Sequence, residues 1–279
     1  MTGRVLTIAA LTVREATRRR LLAALAVITV AMVALSAWGF DRLERSHRIT
    51  SGEANLAVPQ ALILFMFMFS FVVALSASAI ASPSVSSEVE SGVLMTVVTR
   101  PIRRAEIILG KWLGLAALLA GYAAAVCGLE IGVVDAVTGY LPPGPVVTAV
   151  YVFGEGLLLL TLALLLSTRM STLASGVVGI AAFGAAWLGG VVGSLGTALN
   201  IGALSTIGQV SRVVLPTDGL WHGAIYYLEP AAILHSRLTG TGDPFFALSS
   251  PTWGYLLWVV VWLAAVLGAC VFSFQRREL

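Results

Sequence analysis

The sequence predicts an all-α, polytopic membrane protein with six transmembrane helices. Two observations carry that prediction and a third orients it. The chain is 58% hydrophobic and 11% charged, with a mean hydropathy of +0.93, whereas a soluble domain carries about 25% charged residues. Its apolar residues gather in runs of about 20, the length of helix that crosses a bilayer. Arg and Lys collect at alternate ends of those runs, as they do in cytoplasmic loops.

The expected spans are Leu21 to Phe40, Val58 to Ala81, Ile107 to Val134, Val146 to Leu166, Leu173 to Leu199 and Tyr255 to Phe274. With both termini in the cytoplasm, the inner side holds Arg4, Arg14, Arg18, Arg19, Arg20, Arg100, Arg103, Arg104, Lys111, Arg169, Arg276 and Arg277. The outer side holds Arg42, Arg45, Arg48, Arg212 and Arg237. Twelve against five sets this orientation, although the three Arg of the first external loop oppose the trend. Residues 1–20 read as an N-terminal interfacial helix, and no small-residue cleavage site follows the first span, so no cleaved signal is expected. All the basic residues except Lys111 are Arg, in an Ala-, Gly- and Val-rich chain. That bias suggests a high-GC bacterial genome, hence a bacterial cytoplasmic (inner) membrane. The pI of about 9.1 follows from the loop arginines and implies no nucleic-acid partner.

The connection from Ile201 to Thr252 is too long and too apolar for a simple loop. Its stretches Ala203 to Leu215 and Leu220 to Leu234, punctuated by Pro216, Pro230, Pro244 and Pro251, predict an external re-entrant or interfacial helical hairpin. Residues 1–279 form a single transmembrane domain with no large soluble part and no internal repeat.

Several chemistries are excluded. Gly110-Lys111 is followed by Trp112 rather than Ser or Thr, so the chain has no phosphate loop. The three His, at 47, 222 and 235, have no metal-ligand spacing, and there is no G-x-S-x-G nucleophile elbow. Cys127 and Cys270 lie inside apolar runs and read as packing residues. No catalytic residue, no metal site and no cofactor are expected in this chain.

The most informative stretch is Ser86 to Lys111, a charged amphipathic segment between the second and third spans. Pro83 ends or kinks the second span as it leaves the membrane. Ser86 or Ser87 caps a short helix whose first turn holds Glu88 and Glu90. Val89, Val93, Leu94 and Val97 give it one apolar face. Arg100-Pro101 breaks it, and Arg103, Arg104 and Glu106 start a new helix that enters the membrane. On periodicity alone this is either a surface-lying helix with a basic turn or an ordinary cytosolic loop.

The ordered set Glu88, Glu90, Gly92, Leu94, Arg100, Pro101, Arg103, Arg104, Glu106, Gly110 and Lys111 resembles the signature of ABC-2 type transporter permeases, at the same place between the second and third spans. The family's Gly is usually followed by Thr-Leu; here it is Val93-Leu94. The chain is similar to a compact six-span subset that includes the copper-maturation permease of nitrous oxide reductase, with which it shares Pro216-Thr217-Asp218. The resemblance implies a permease subunit without its own ATPase, energised by two copies of a cytosolic nucleotide-binding subunit that carry ATP and Mg. A second permease copy, giving a homodimer in the lipid bilayer, is implied too. Residues 86–104 become the coupling helix and basic turn, with Glu88 and Glu90 facing the ATPase and the arginines near its acids or the lipid phosphates.

Two acids lie within spans. Glu130 and Glu155 line a substrate path, pair with Arg212 or Arg237, or hydrogen-bond between helices. The small residues of the fifth span predict close packing within the bundle or at the dimer seam, and the tryptophans near membrane levels read as interface anchors. The function expected is export of a lipid, peptide, drug or similar small substrate. The alternatives are a non-transporting assembly or maturation factor and an ion-coupled secondary carrier.

Overall fold

A computed structural model of the chain describes residues 2–17, 20–45, 51–90, 103–230, 247 and 249–276. Among them are ten helices and no strand. They are α1 (Thr2–Thr17), α2 (Arg20–Glu44), α3 (Ser51–Ala81), α4 (Pro83–Glu90), α5 (Arg104–Thr138), α6 (Pro145–Ser167), α7 (Thr172–Ala198), α8 (Gly202–Val214), α9 (Thr217–Leu228) and α10 (Trp253–Gln275). Six helices, α2, α3, α5, α6, α7 and α10, are long and apolar enough to cross a membrane, matching the expected spans to within a few residues except at their longer ends. The chain is an all-α, multi-pass membrane protein.

Local chemistry sets the helix ends. Pro145 stands at the first turn of α6, where its missing N–H costs nothing. The Ser171 hydroxyl accepts from Ala174 N at 3.4 Å at the start of α7, and Thr252 accepts from Tyr255 N at 3.3 Å at the start of α10. Gly139 closes α5 with φ 68°, a left-handed conformation that favours glycine. The expected break at Pro83 is a turn at Ser82, after which the chain resumes as α4. The cap expected at Ser86 or Ser87 is overturned. The helix starts three residues earlier, at Pro83, and the Ser86 hydroxyl donates back to Ser82 O at 2.8 Å from inside it.

The core centres on α6, which packs against α3, α5, α7, α9 and α10. About half of the α3 and α6 spans is buried, 56% and 50%, against 11% for α2 and for α10. The last two therefore flank the bundle. α1 lies across the start of α5. A Cβ on Gly110 would stand 2.7 Å from Ile8 Cβ, and one on Gly114 would stand 2.5 Å from Ala9 O, so the backbones meet there with no room for a side chain.

The long connection does fold into a helical hairpin, but its two arms differ. α8 buries only Gly208 and leaves Ile207, Val210, Val213 and Val214 exposed. α9 is buried along most of its length, Trp221, Ala224, Ile225 and Leu228 included, and enters the bundle between α3, α6 and α7. That arm is re-entrant rather than interfacial, and Trp221, read from sequence as an interface anchor, is a core residue. The glycines of α7 serve this hairpin. A Cβ on Gly193 would lie 2.6 Å from Gly208 Cα, and one on Gly189 would lie 2.5 Å from Ser211 Oγ. Gly179 faces Ser78 of α3 instead. Those α7 glycines thus pack within the bundle.

Candidate functional site

The segment that carries the sequence signature leaves α3 through α4 and returns at Arg103. Glu88 and Glu90 fall in the last turn of α4, but their side chains lie outside the described residues, as do Gly92, Leu94, Arg100 and Pro101 altogether. The signature residues on the far side of the segment are described, and each has a local task. Glu106 is buried; its carboxylate accepts the Arg103 N–H at 3.1 Å, while its own N–H donates to Arg103 O at 2.9 Å. This closes the first turn of α5 and satisfies a donor that the helix leaves open. Arg103 itself is exposed.

Arg104 reaches the other end of the molecule's sequence. Its Nη1 donates to Gln275 O at 3.1 Å and to Phe274 O at 3.4 Å, the open carbonyls of the last turn of α10. Arg169, in the link between α6 and α7, adds to the same turn: Nε donates to Ser273 Oγ at 2.9 Å and Nη2 to Ser273 O at 3.3 Å. Cations at a helix C-terminus also suit its dipole.

The Gly-Lys pair has a different partner. Gly110 admits α1, as above. Lys111 is buried, and its Nζ donates to Ser84 O in the first turn of α4. A buried lysine needs such partners, and Glu15 and Thr12 of α1 line the same small cavity. Gly110, Lys111 and Gly114 therefore fasten three pieces together: the N-terminal helix, the third span and the root of α4. Arg104, Arg169, Lys111 and α1 mark this as the basic end of the bundle.

The two acids within spans are buried and bridge helices. Ser36 of α2 donates to Glu130 Oε2 at 2.7 Å, while Glu130 Oε1 is buried without a hydrogen bond among the described residues. Ser70 of α3 donates to Glu155 Oε2. Neither acid pairs with Arg212, as sequence reasoning had allowed; Arg237 lies outside the described residues. Arg212 Nε instead meets Asp218 Oδ2 at 2.7 Å, with the Asp218 side chain 3% exposed and that of Arg212 39%. His222 Nδ1 sits 2.8 Å from Asp218 O. A cavity of about 320 Å³ opens beside this group, lined by Arg212, His222, Ser249, Ser250 and Tyr255.

Sequence reasoning missed Ser70 and Ser36, because serines in apolar runs are common and nothing in spacing ties either to an acid on another helix. On α10 it missed Tyr255, read Trp258 only as an interface anchor, and missed Trp262. Their hydrogens go to Pro216 O at 3.0 Å, Val213 O at 3.1 Å and Val214 O at 2.8 Å. The spacing i, i+3, i+7 was the available signal, since it puts the three on one helix face.

No curated protein matches the chain. A family model described as ABC-2 family transporter protein matches residues 6–279, so the match takes in all six spans and all but the first turn of the N-terminal helix. An ordered signature between the second and third spans, six spanning helices and a re-entrant hairpin before the last are thus joined by a match along almost the entire chain: it belongs to the ABC-2 family of transporter proteins, as a membrane permease component that works with an ATP-binding subunit.

Proposed function

We infer that this permease exports a lipid, peptide, drug or similar small substrate and takes its energy from two copies of a cytosolic ATPase subunit. The observation that carries the reading is α4. It leaves the second span at the basic end of the bundle, packs against α6 and α7, and is tied at its root to the third span by Lys111. A force applied to α4 has direct mechanical access to all three helices. Glu88 and Glu90 stand in its last turn, where acids can meet basic groups of a partner. ATP and Mg belong on that partner, since the chain has no phosphate loop. The positive-inside bias supports a cytoplasmic basic end, with both termini inside a bacterial inner membrane. The thinly buried α2 and α10 leave surface for lipid and for a second copy of the chain. Coupling then requires that nucleotide on the ATPase favour one arrangement of these helices over another. Glu130 and Glu155 are proposed to face the substrate path when the helices they now bridge separate.

The test is co-purification with the ATPase encoded beside this chain. The permease alone is expected to hydrolyse no ATP and to bring the ATPase down with it. Glu88→Lys together with Glu90→Lys is expected to abolish that association. Normal association of the doubly substituted protein would defeat the assignment of α4 as the docking helix. Transport in liposomes containing both subunits separates an exporter from an assembly factor.

A further inference from the structure

α10 is held by hydrogen bonds at its two ends, and between them half-buried Leu263, Leu267 and Val271 pack on the core. Among its residues only Val259, Cys270 and Phe274 are buried. At the basic end, Arg104 and Arg169 grip the carbonyls and hydroxyl of Ser273, Phe274 and Gln275. At the other end, Tyr255, Trp258 and Trp262 donate to Pro216 O, Val213 O and Val214 O. Those carbonyls belong to the last turn of α8 and the link into α9, where the helix supplies no further donors. At membrane depth water does not replace them, so a neighbouring element must. Both grips lie on one uninterrupted helix of 23 residues, about 34 Å of closely hydrogen-bonded backbone from end to end.

We propose that α10 is a tie that carries displacement from the exit of the coupling segment, at Arg104, to the hairpin α8–α9. Tyr255, Trp258 and Trp262 are its positioning residues. The hairpin has room to respond. A cavity of about 520 Å³ lies beside α8, lined by Ala185, Gly189, Val210, Val214 and Trp262 among others, while on its other side α8 meets α7 at Gly193 by backbone and at Gly189 and Gly196 by the small reach of Ser211 and Leu204 Cβ. Such a link is a contiguous physical connection, and it earns the name of coupling only by a measured interaction between its ends. Its use in transport rests on the permease reading above. Its existence does not, because the hairpin can be read in the chain alone.

The experiment is amide hydrogen exchange on the full chain in lipid nanodiscs, without any partner. Arg104→Ala removes one of the two arginines that grip α10 about 18 Å along the helix from Trp262, and Trp262→Phe removes one N–H while keeping an aromatic ring. Each is expected to raise exchange in α8–α9 about fivefold, the effect of one hydrogen bond, with exchange in α6 unchanged. The doubly substituted chain is expected to exchange far less than the product of the single effects, since both cut one connection, and Arg104→Lys is expected to restore protection. The tie is overturned if Arg104→Ala leaves α8–α9 at the unsubstituted rate, if α6 loosens equally, or if the two effects multiply. A failed tie with intact ATPase association removes this proposal and leaves the permease reading standing; the reverse outcome does the opposite.

Discussion

The two ends of the bundle use the same materials differently. At both, helices cross on glycine: α1 over Gly110 and Gly114, and α8 over Gly193. At the basic end the cations Arg104, Arg169 and Lys111 donate to backbone carbonyls of other helices. At the hairpin end the cation Arg212 goes to a buried carboxylate, and neutral N–H and O–H groups of α10 satisfy the carbonyls instead. The difference teaches where charge is dispensable. A cation on a carbonyl leaves behind, when removed, one weakly solvated neutral oxygen. A cation on a buried carboxylate leaves behind an uncompensated charge, which is much dearer.

The largest expected effect follows from that contrast. Arg212→Ala leaves Asp218, whose side chain is 3% exposed, without its closest cation and with His222 Nδ1 at 3.6 Å. The cost of breaking a buried pair is about 3–5 kcal/mol, and the partial exposure of Arg212 puts this case at the low end, about 3 kcal/mol. Thermal or denaturant unfolding in detergent micelles measures it. Arg212→Met with Asp218→Asn, which removes both charges, is expected to recover most of the loss. If Arg169→Met, which removes a cation from the Ser273 carbonyl, destabilises as much as Arg212→Ala, the distinction between the two ends collapses.

How much of this was readable beforehand depends on the range of the interaction. The spans were legible because each is a local apolar run whose length the bilayer sets. The hairpin was legible for the same reason, though not that α9 enters the bundle, since burial on both sides is decided by α3, α6 and α7. Gly110 and Lys111 were legible only as members of an ordered signature. Their physical task, admitting Val5 and Ile8 and reaching Ser84, depends on residues about 100 and 27 positions away, and no periodicity within α5 encodes it. The acids within spans were legible as requiring partners. The partners were not, because Ser36 and Ser70 compete with every other polar group of the bundle and only the packing chooses among them.

A smaller effect tests the basic end's own crossing. Gly114→Ala puts a Cβ 2.5 Å from Ala9 O. The obstacle is backbone, so α1 must lift from α5 rather than turn a side chain aside. Overpacking of this kind costs about 1–3 kcal/mol. Micelle unfolding should show that loss, and cysteine crosslinking between Thr12 and Leu115, both lining the same small cavity, should weaken with it. Unchanged stability with intact crosslinking would mean that α1 does not sit on α5 as closely as this crossing requires.

The smallest effect has the opposite sign, and it is what makes the previous one interpretable. Gly121 lies seven residues beyond Gly114 on the same helix, beyond the reach of α1, and a Cβ there meets nothing within 4 Å. A helix-interior glycine without a packing task is a cost in chain entropy, so Gly121→Ala is expected to stabilise by about 0.5–1 kcal/mol. The two substitutions are chemically identical and sit two turns apart, so propensity favours both equally. Any difference between them is therefore the contact with α1 and nothing else. A loss at Gly121 in the assembled protein, alongside a gain in the isolated chain, would show that another subunit covers this face of α5, and would move the boundary of the basic end outward along the third span.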